Sequence, residues 1–203
     1  MKKIILQSAV TVVFVILDIL LMKIHVPPTL FLFSSLLFSP LHGGIAGAVI
    51  TIFNPNSNYI MLILLTIIVF SKGLLIGVLW KFIHDKKQLP YQITIGIIAL
   101  LPIICKVNIF TVLIVVITVI FLISDIYIAK ISNAEKSGNF VRIYFCIAVT
   151  TMIAVSLELL AKYDNFDFEV ILQNFTDTLL ISAIQSYFIV FILNVYKKLK
   201  KNP

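Results

Sequence analysis

The sequence predicts an all-α protein, a polytopic integral membrane helical bundle that forms a single transmembrane domain over residues 1–203. Three observations predict it. Ala, Val, Ile, Leu, Met, Phe, Trp, Tyr and Cys supply 61% of the chain and charged residues only 12%, against roughly 45–50% and about 25% in soluble domains. With a mean hydropathy of +1.11, the apolar side chains exceed what one core of this size hides from water, so lipid is the solvent for most of them. The apolar residues also fall in runs of helix length, too long for strands. A soluble enzyme, a secreted disulfide scaffold and a disordered chain are excluded.

The segments follow in order, about six to eight of them, each judged against the roughly 20 residues a span needs at about 1.5 Å rise. The first, 4–24, follows Met1-Lys2-Lys3. It has the charge order of a signal peptide but is longer than an h-region and lacks an Ala-x-Ala-like site, so it reads as an uncleaved span. The second, 29–53, starts after Pro27-Pro28 and is interrupted by Ser39-Pro40-Leu41-His42-Gly43-Gly44. Residues 59–80 follow the Asn54-Pro55-Asn56-Ser57-Asn58 turn. The runs 91–105, 107–129, 141–161 and 170–196 are separated by Lys106 with Asn108, by Ser132 to Asn139, and by the acidic stretch Lys162 to Glu169.

Charge tests this order, because cytoplasmic loops concentrate Lys and Arg. A straight span over 29–53 puts Lys81, Lys86 and Lys87 outside, against the rule. A chain that turns back at 40–44 as a broken or re-entrant pair places both termini in the cytoplasm, and the charge then sums to +9 inside, −3 outside and +1 for Lys72 within the membrane. Limbs of about 11 residues are too short to cross about 30 Å upright, so they are expected to be half-helices shielded by protein. The excess of 16 Lys+Arg over 9 Asp+Glu thus reports orientation, and nucleic acid is set aside as a partner. The Ile-, Lys- and Phe-rich usage with one arginine, Arg142, fits the cytoplasmic membrane of a prokaryote with an AT-rich genome.

Gly43, Gly44 and Gly47 in one segment and Gly73 and Gly77 in the next make small-residue faces, on which another helix backbone can approach closely. They serve either packing within the chain or docking of a partner helix. Ionisable residues inside spans are costly and mark functional sites. Lys72 lies about 13 Å into the membrane from Lys81; it either snorkels to the interface or forms a buried ion pair, with Asp18 or Asp177 as the protein partner, or holds a carboxylate ligand. Asp18 otherwise pairs with Lys23 at the outer leaflet. Asp177 lies about two turns inside the last span beside Asn174 and Gln185, and His42 sits at the break. Cys105 and Cys146 fall at opposite ends of their spans and are read as packing residues.

Catalytic templates are absent. There is no phosphate-binding Gly-x-x-x-x-Gly-Lys-Ser/Thr, no His-Glu-x-x-His and no Gly-x-Ser-x-Gly. The three histidines are dispersed, so no metal and no cofactor is expected, and the chain is not read as an enzyme.

Phe38-Ser39-Pro40-Leu41-His42-Gly43-Gly44-Ile45-Ala46-Gly47-Ala48, with the later Phe70-Ser71-Lys72-Gly73-Leu74-Leu75-Ile76-Gly77-Val78-Leu79, resembles the substrate-binding (S) components of energy-coupling-factor vitamin transporters. That family often carries a Phe-Gly-Pro-x-x-Gly-x-x-x-Gly turn between short helices and a Lys-Gly-x-x-x-Gly helix. The resemblance covers about 40 residues; Ser39 stands where Gly is frequent there, the first helix has Ala9 followed by Val13 without that family's small-residue face, and the family usually shows six helices. It implies binding of a vitamin or micronutrient from outside and delivery to a partner membrane protein and ATPase subunits. On this reading Asp18, His42, Lys72 and Asp177 contact the small-molecule solute and the glycine faces dock or move. Rod-shape-determining membrane proteins of the MreD type look similar, which implies the alternative of a non-enzymatic scaffold or sensor subunit that binds partners through the same glycines.

Overall fold

A computed structural model of the chain describes residues 2–23, 28–53, 59–84, 139–162 and 168–201, with isolated positions between 93 and 123. The described helices are α1 (Lys2–Lys23), α2 (Leu30–Leu37), α3 (Pro40–Ile52), α4 (Tyr59–Ile83), α5 (Asn139–Lys162) and α6 (Phe168–Lys201). Within these, Ile4–Lys23, Tyr59–Ile83, Phe140–Leu160 and Gln173–Leu193 are long and apolar enough to cross a membrane. Four such helices are fewer than the six to eight segments expected. The expected segments 91–105 and 107–129, and Cys105 with them, lie outside the described residues apart from the isolated positions. The chain divides into two compact units, residues 1–81 and 82–203.

In the first unit the run 29–53 is broken as expected, into helices of 8 and 13 residues, about 12 and 20 Å long at 1.5 Å per residue. The break falls earlier than the sequence suggests. It lies at Phe38-Ser39, and Pro40 to Gly44 form the first turns of α3 instead of a turn between limbs. The physical reason is local. Pro40 occupies the first helical position, where its missing N–H is no loss, and Ser39 is extended with its hydroxyl accepting from the His42 amide.

Side-chain contacts fix the course of the four helices. Phe14 meets Phe33 edge-on with ring centroids 5.3 Å apart, while Asp18 reaches Thr29, Leu30 and Phe31, so α1 and α2 run antiparallel. A Cβ at Gly43 would meet Ser35 and one at Gly47 would meet Phe31, so α2 and α3 form an antiparallel hairpin. Gly47 faces Val69, Gly73 faces Gly43 and Gly77 faces Pro40, which sets α3 antiparallel to α4. The core is Val15, Leu30 to Phe33, Ala46, Ile50, Ile68 and Ile76.

The second unit is built on α5 and α6. Phe140, Val141, Tyr144 and Ala148 pack against Leu179 and Ala183, and Phe140 also meets Tyr187 with ring centroids 6.3 Å apart. Over Phe140 to Ala148 nearly every side chain of α5 is buried, as expected of a helix apolar on all faces.

Candidate functional site: the half-helix pair

The first turn of α2 has no acidic residue, and the Thr29 side chain makes no capping bond. Its leading amides are satisfied from another helix. Asp18, fully buried on α1, accepts the Thr29 N–H at 2.9 Å and the Leu30 N–H at 3.0 Å on Oδ1, and the Phe31 N–H at 2.8 Å on Oδ2. The following amides of Leu32 and Phe33 turn back to the Thr29 carbonyl. A carboxylate at a helix N-terminus meets both the unsatisfied N–H groups and the positive end of the macrodipole. This replaces the expected pairing of Asp18 with Lys23, which is exposed. Nor does Asp18 serve Lys72, since its partners among the described residues are the three amides.

The other end of α2 is tied to α4 by the Ser35 hydroxyl, which donates to the Gly73 carbonyl at 2.9 Å. Gly73 is held against Gly43: a Cβ there would lie 2.5 Å from the Gly43 carbonyl oxygen and 2.7 Å from the Gly44 nitrogen. Gly44 packs on Phe70 and Leu74, Gly47 on Val69 and Gly77 on Pro40. All five glycines singled out from the sequence therefore pack within the chain. Close backbone approach is how helices associate where lipid removes the hydrophobic drive.

His42 is half-buried in the first turn of α3, its Nδ1 2.7 Å from the Ser39 hydroxyl and its ring 5.9 Å from that of Phe38. The same hydroxyl accepts the His42 amide. Lys72 is half-buried on the face of α4 that carries the buried Ile68 and Ile76. His42 and Lys72 immediately precede Gly43 and Gly73, the two residues in backbone contact, whereas Asp18 lies at the opposite end of the hairpin. Asp177 belongs to the second unit, on an exposed position of α6. Thus the structure brings His42 and Lys72 to one level and does not add Asp18 to them.

Several polar positions escape the sequence reading. Arg142, buried on α5, donates from Nη1 to the His84 carbonyl at 2.6 Å. Thr178, Ser182 and Ser186 form a buried hydroxyl row on α6, and their four-residue spacing is the signal by which the row is found. Among the described residues no three His, Cys, Asp or Glu side chains gather to hold a metal.

Fold and site together define the class: the described residues are helical, with four helices fit to cross a membrane and, in the first unit, a pair of half-helices packed against α1 and α4. Beyond that class, no protein-family model, curated protein or solved structure matches the chain.

Proposed function

We propose that the chain is a small multi-pass protein of the cytoplasmic membrane that binds a small solute, of the vitamin or micronutrient class, from outside for uptake. Both termini are cytoplasmic in this reading, six to eight segments lie in the membrane, and a separate membrane protein with ATPase subunits supplies the energy, as in the S components the motif resembles. The observation that carries it is the half-helix pair. Helix ends at membrane depth are tolerated where protein buries them or where they line a cavity, and broken helices of this kind build the solute sites of transporters. With the positive-inside orientation, α2 enters from outside, turns at Phe38-Ser39 and returns as α3.

In this reading His42 and Lys72, at one level of the α3–α4 seam, are the solute contacts. Asp18 is a positioning residue that holds α2. The glycines support packing within the chain, so the scaffold alternative, which needs those faces for a partner, draws no support from them.

Thermal-shift and native mass spectrometric screening of the purified protein against vitamins, amino acids and metal ions tests the reading. A retained or stabilising ligand whose effect falls in His42→Ala and Lys72→Met supports it. A silent panel, with co-purification of a cell-wall complex in place of an ATPase pair, overturns it.

A further inference from the structure

The apolar span of α6, Gln173–Leu193, sorts its polar residues by charge. The neutral ones, Thr176, Thr178, Ser182, Gln185 and Ser186, are all buried, as membrane helices turn such groups toward their neighbours. Asp177 is the one charged residue of the span, and it is exposed. It shares a stripe with Ile184, Phe188 and Phe191, exposed likewise; at about 3.6 residues per turn these four positions lie within about 60° of one another. A carboxylate inside a membrane span is costly, and such groups face a protein interior or a watery cavity. Asp18 follows that rule, fully buried against three amides. Asp177 does not follow it within its own chain.

A matching cation stands on α1. Lys23 closes the span Ile4–Lys23, the least buried of the four, and is exposed, as are Val13, Ile16 and Leu20 before it. Neither Lys23 nor Asp177 has a hydrogen-bond or ion-pair partner among the described residues. In the orientation of the uptake reading both stand at the outer ends of their spans, with Asp177 four residues, about 6 Å, inside from Gln173. Side chains lean toward the N-terminus of their helix. Since α1 then runs outward and α6 inward, Lys23 leans into the membrane and Asp177 out of it, toward a common level. From this complementarity we infer that Asp177 pairs with Lys23 of a second copy of this chain, the exposed stripe of α6 lying on the exposed flank of α1. The second copy supplies the protein interior that the carboxylate lacks. The five glycines, packed within the chain, take no part in this contact. The inference rests on the membrane orientation of the uptake reading and not on its solute.

Energy transfer between donor- and acceptor-labelled copies of the full-length protein in phosphatidylcholine–phosphatidylglycerol vesicles tests it. Wild-type copies are expected to associate. Asp177→Lys and Lys23→Asp, each made alone, set like charges against each other and are expected to raise the dissociation constant about 30-fold or more. Co-expression of the two variants is expected to restore association, because each chain then meets the opposite charge on the other; a pair within one chain is not restored by mixing. Wild-type transfer no greater than that of random mixing overturns the inference, as do single variants that associate like the parent or a mixture that stays apart. Labelling of Lys23→Cys and Gln173→Cys in intact cells with an impermeant thiol reagent separates this from the reading beneath it. Labelling of the two from opposite sides overturns the orientation and the inference together. Labelling of both from outside without association overturns the inference alone and leaves the uptake reading standing.

Discussion

Both units send side-chain hydroxyls to backbone carbonyls, Ser35 to Gly73 and Thr51 to Gly47 in the first, but among the described residues only the first brings a carboxylate to backbone amides. In the first, a helix break leaves buried N–H donors, and a side-chain acceptor, Asp18, is brought to them. In the second, the helices run unbroken and the surplus is of side-chain donors, which go to carbonyls: Arg142 to His84, the Tyr144 hydroxyl to Leu179, and Thr150 to Cys146. Packing differs likewise. The first unit brings backbones together at glycines, whereas the second interlocks Phe140 and Tyr144 with Leu179 and Ala183. A buried helix break thus demands an acceptor from elsewhere in the chain, while an unbroken helix accommodates polar side chains on carbonyls whose second lone pair is open.

Removing the acceptor is the most damaging way to break this contrast. Asp18→Ala leaves three buried amides unserved, each costing about 1–3 kcal/mol, so a loss of about 3–9 kcal/mol is expected in reversible unfolding in mixed micelles. An equal loss from Asp18→Asn and Asp18→Ala would show that the carboxamide oxygen restores nothing, and that the amides are not what Asp18 serves. Next in size is Gly73→Ala. The new methyl meets backbone atoms of Gly43 and Gly44, which cannot rotate away, and a loss of about 2–3 kcal/mol is expected by the same measurement. Gly96, with nothing within 4 Å of an added Cβ, is its control, and Gly96→Ala should stay within about 0.5 kcal/mol of the parent.

For the second unit the corresponding change is Arg142→Lys. The charge is kept but the planar fork is lost, and an ammonium on a shorter reach does not reproduce the bond to His84. The expected cost is about 1–2 kcal/mol, below that of Asp18→Ala because the acceptor left behind is a carbonyl at a helix end. A larger effect than that of Asp18→Ala would reverse the ranking of the two units.

Much of this fold is legible in the sequence, and the illegible part has a physical cause. Run lengths give α1, α4, α5 and α6 to within a few residues, because a membrane span depends on local composition alone. Charge sorting gives the break in 29–53, because a missing crossing reverses the side of every later loop. The break is nonetheless misplaced toward Gly43 and Gly44. Pro and Gly signal turns as strongly as they signal a proline helix start and a packing seam, and only the partner helix distinguishes them. For the same reason Asp18 reads as a ligand contact: spacing reports its neighbours on α1, and nothing in the spacing shows that α2 folds back with its first amides at the same level. His42 and Lys72 share a level because of the Gly43–Gly73 contact, which the small-residue pattern suggests without fixing the register.

The smallest effect sharpens the comparison best, since it isolates a single donor. Tyr144 is fully buried, and its hydroxyl donates to the Leu179 carbonyl at 3.3 Å and also pairs with Thr118. In Tyr144→Phe the ring and its packing remain and only the hydroxyl disappears, donor to Leu179 and partner of Thr118. The Leu179 carbonyl lies inside α6, where the helix itself supplies a hydrogen bond from the following turn. Losing the tyrosine therefore leaves no backbone group unserved, and the expected cost is about 1 kcal/mol, the net worth of one ordinary hydrogen bond. Thr118→Val combined with Tyr144→Phe should then cost less than the sum of the single changes, because the two hydroxyls partner one another. A cost for Tyr144→Phe as large as that for Asp18→Ala would mean that the carbonyls of the second unit depend on their side-chain donors as strictly as the amides of α2 depend on Asp18, and the distinction between broken and unbroken helices would fail.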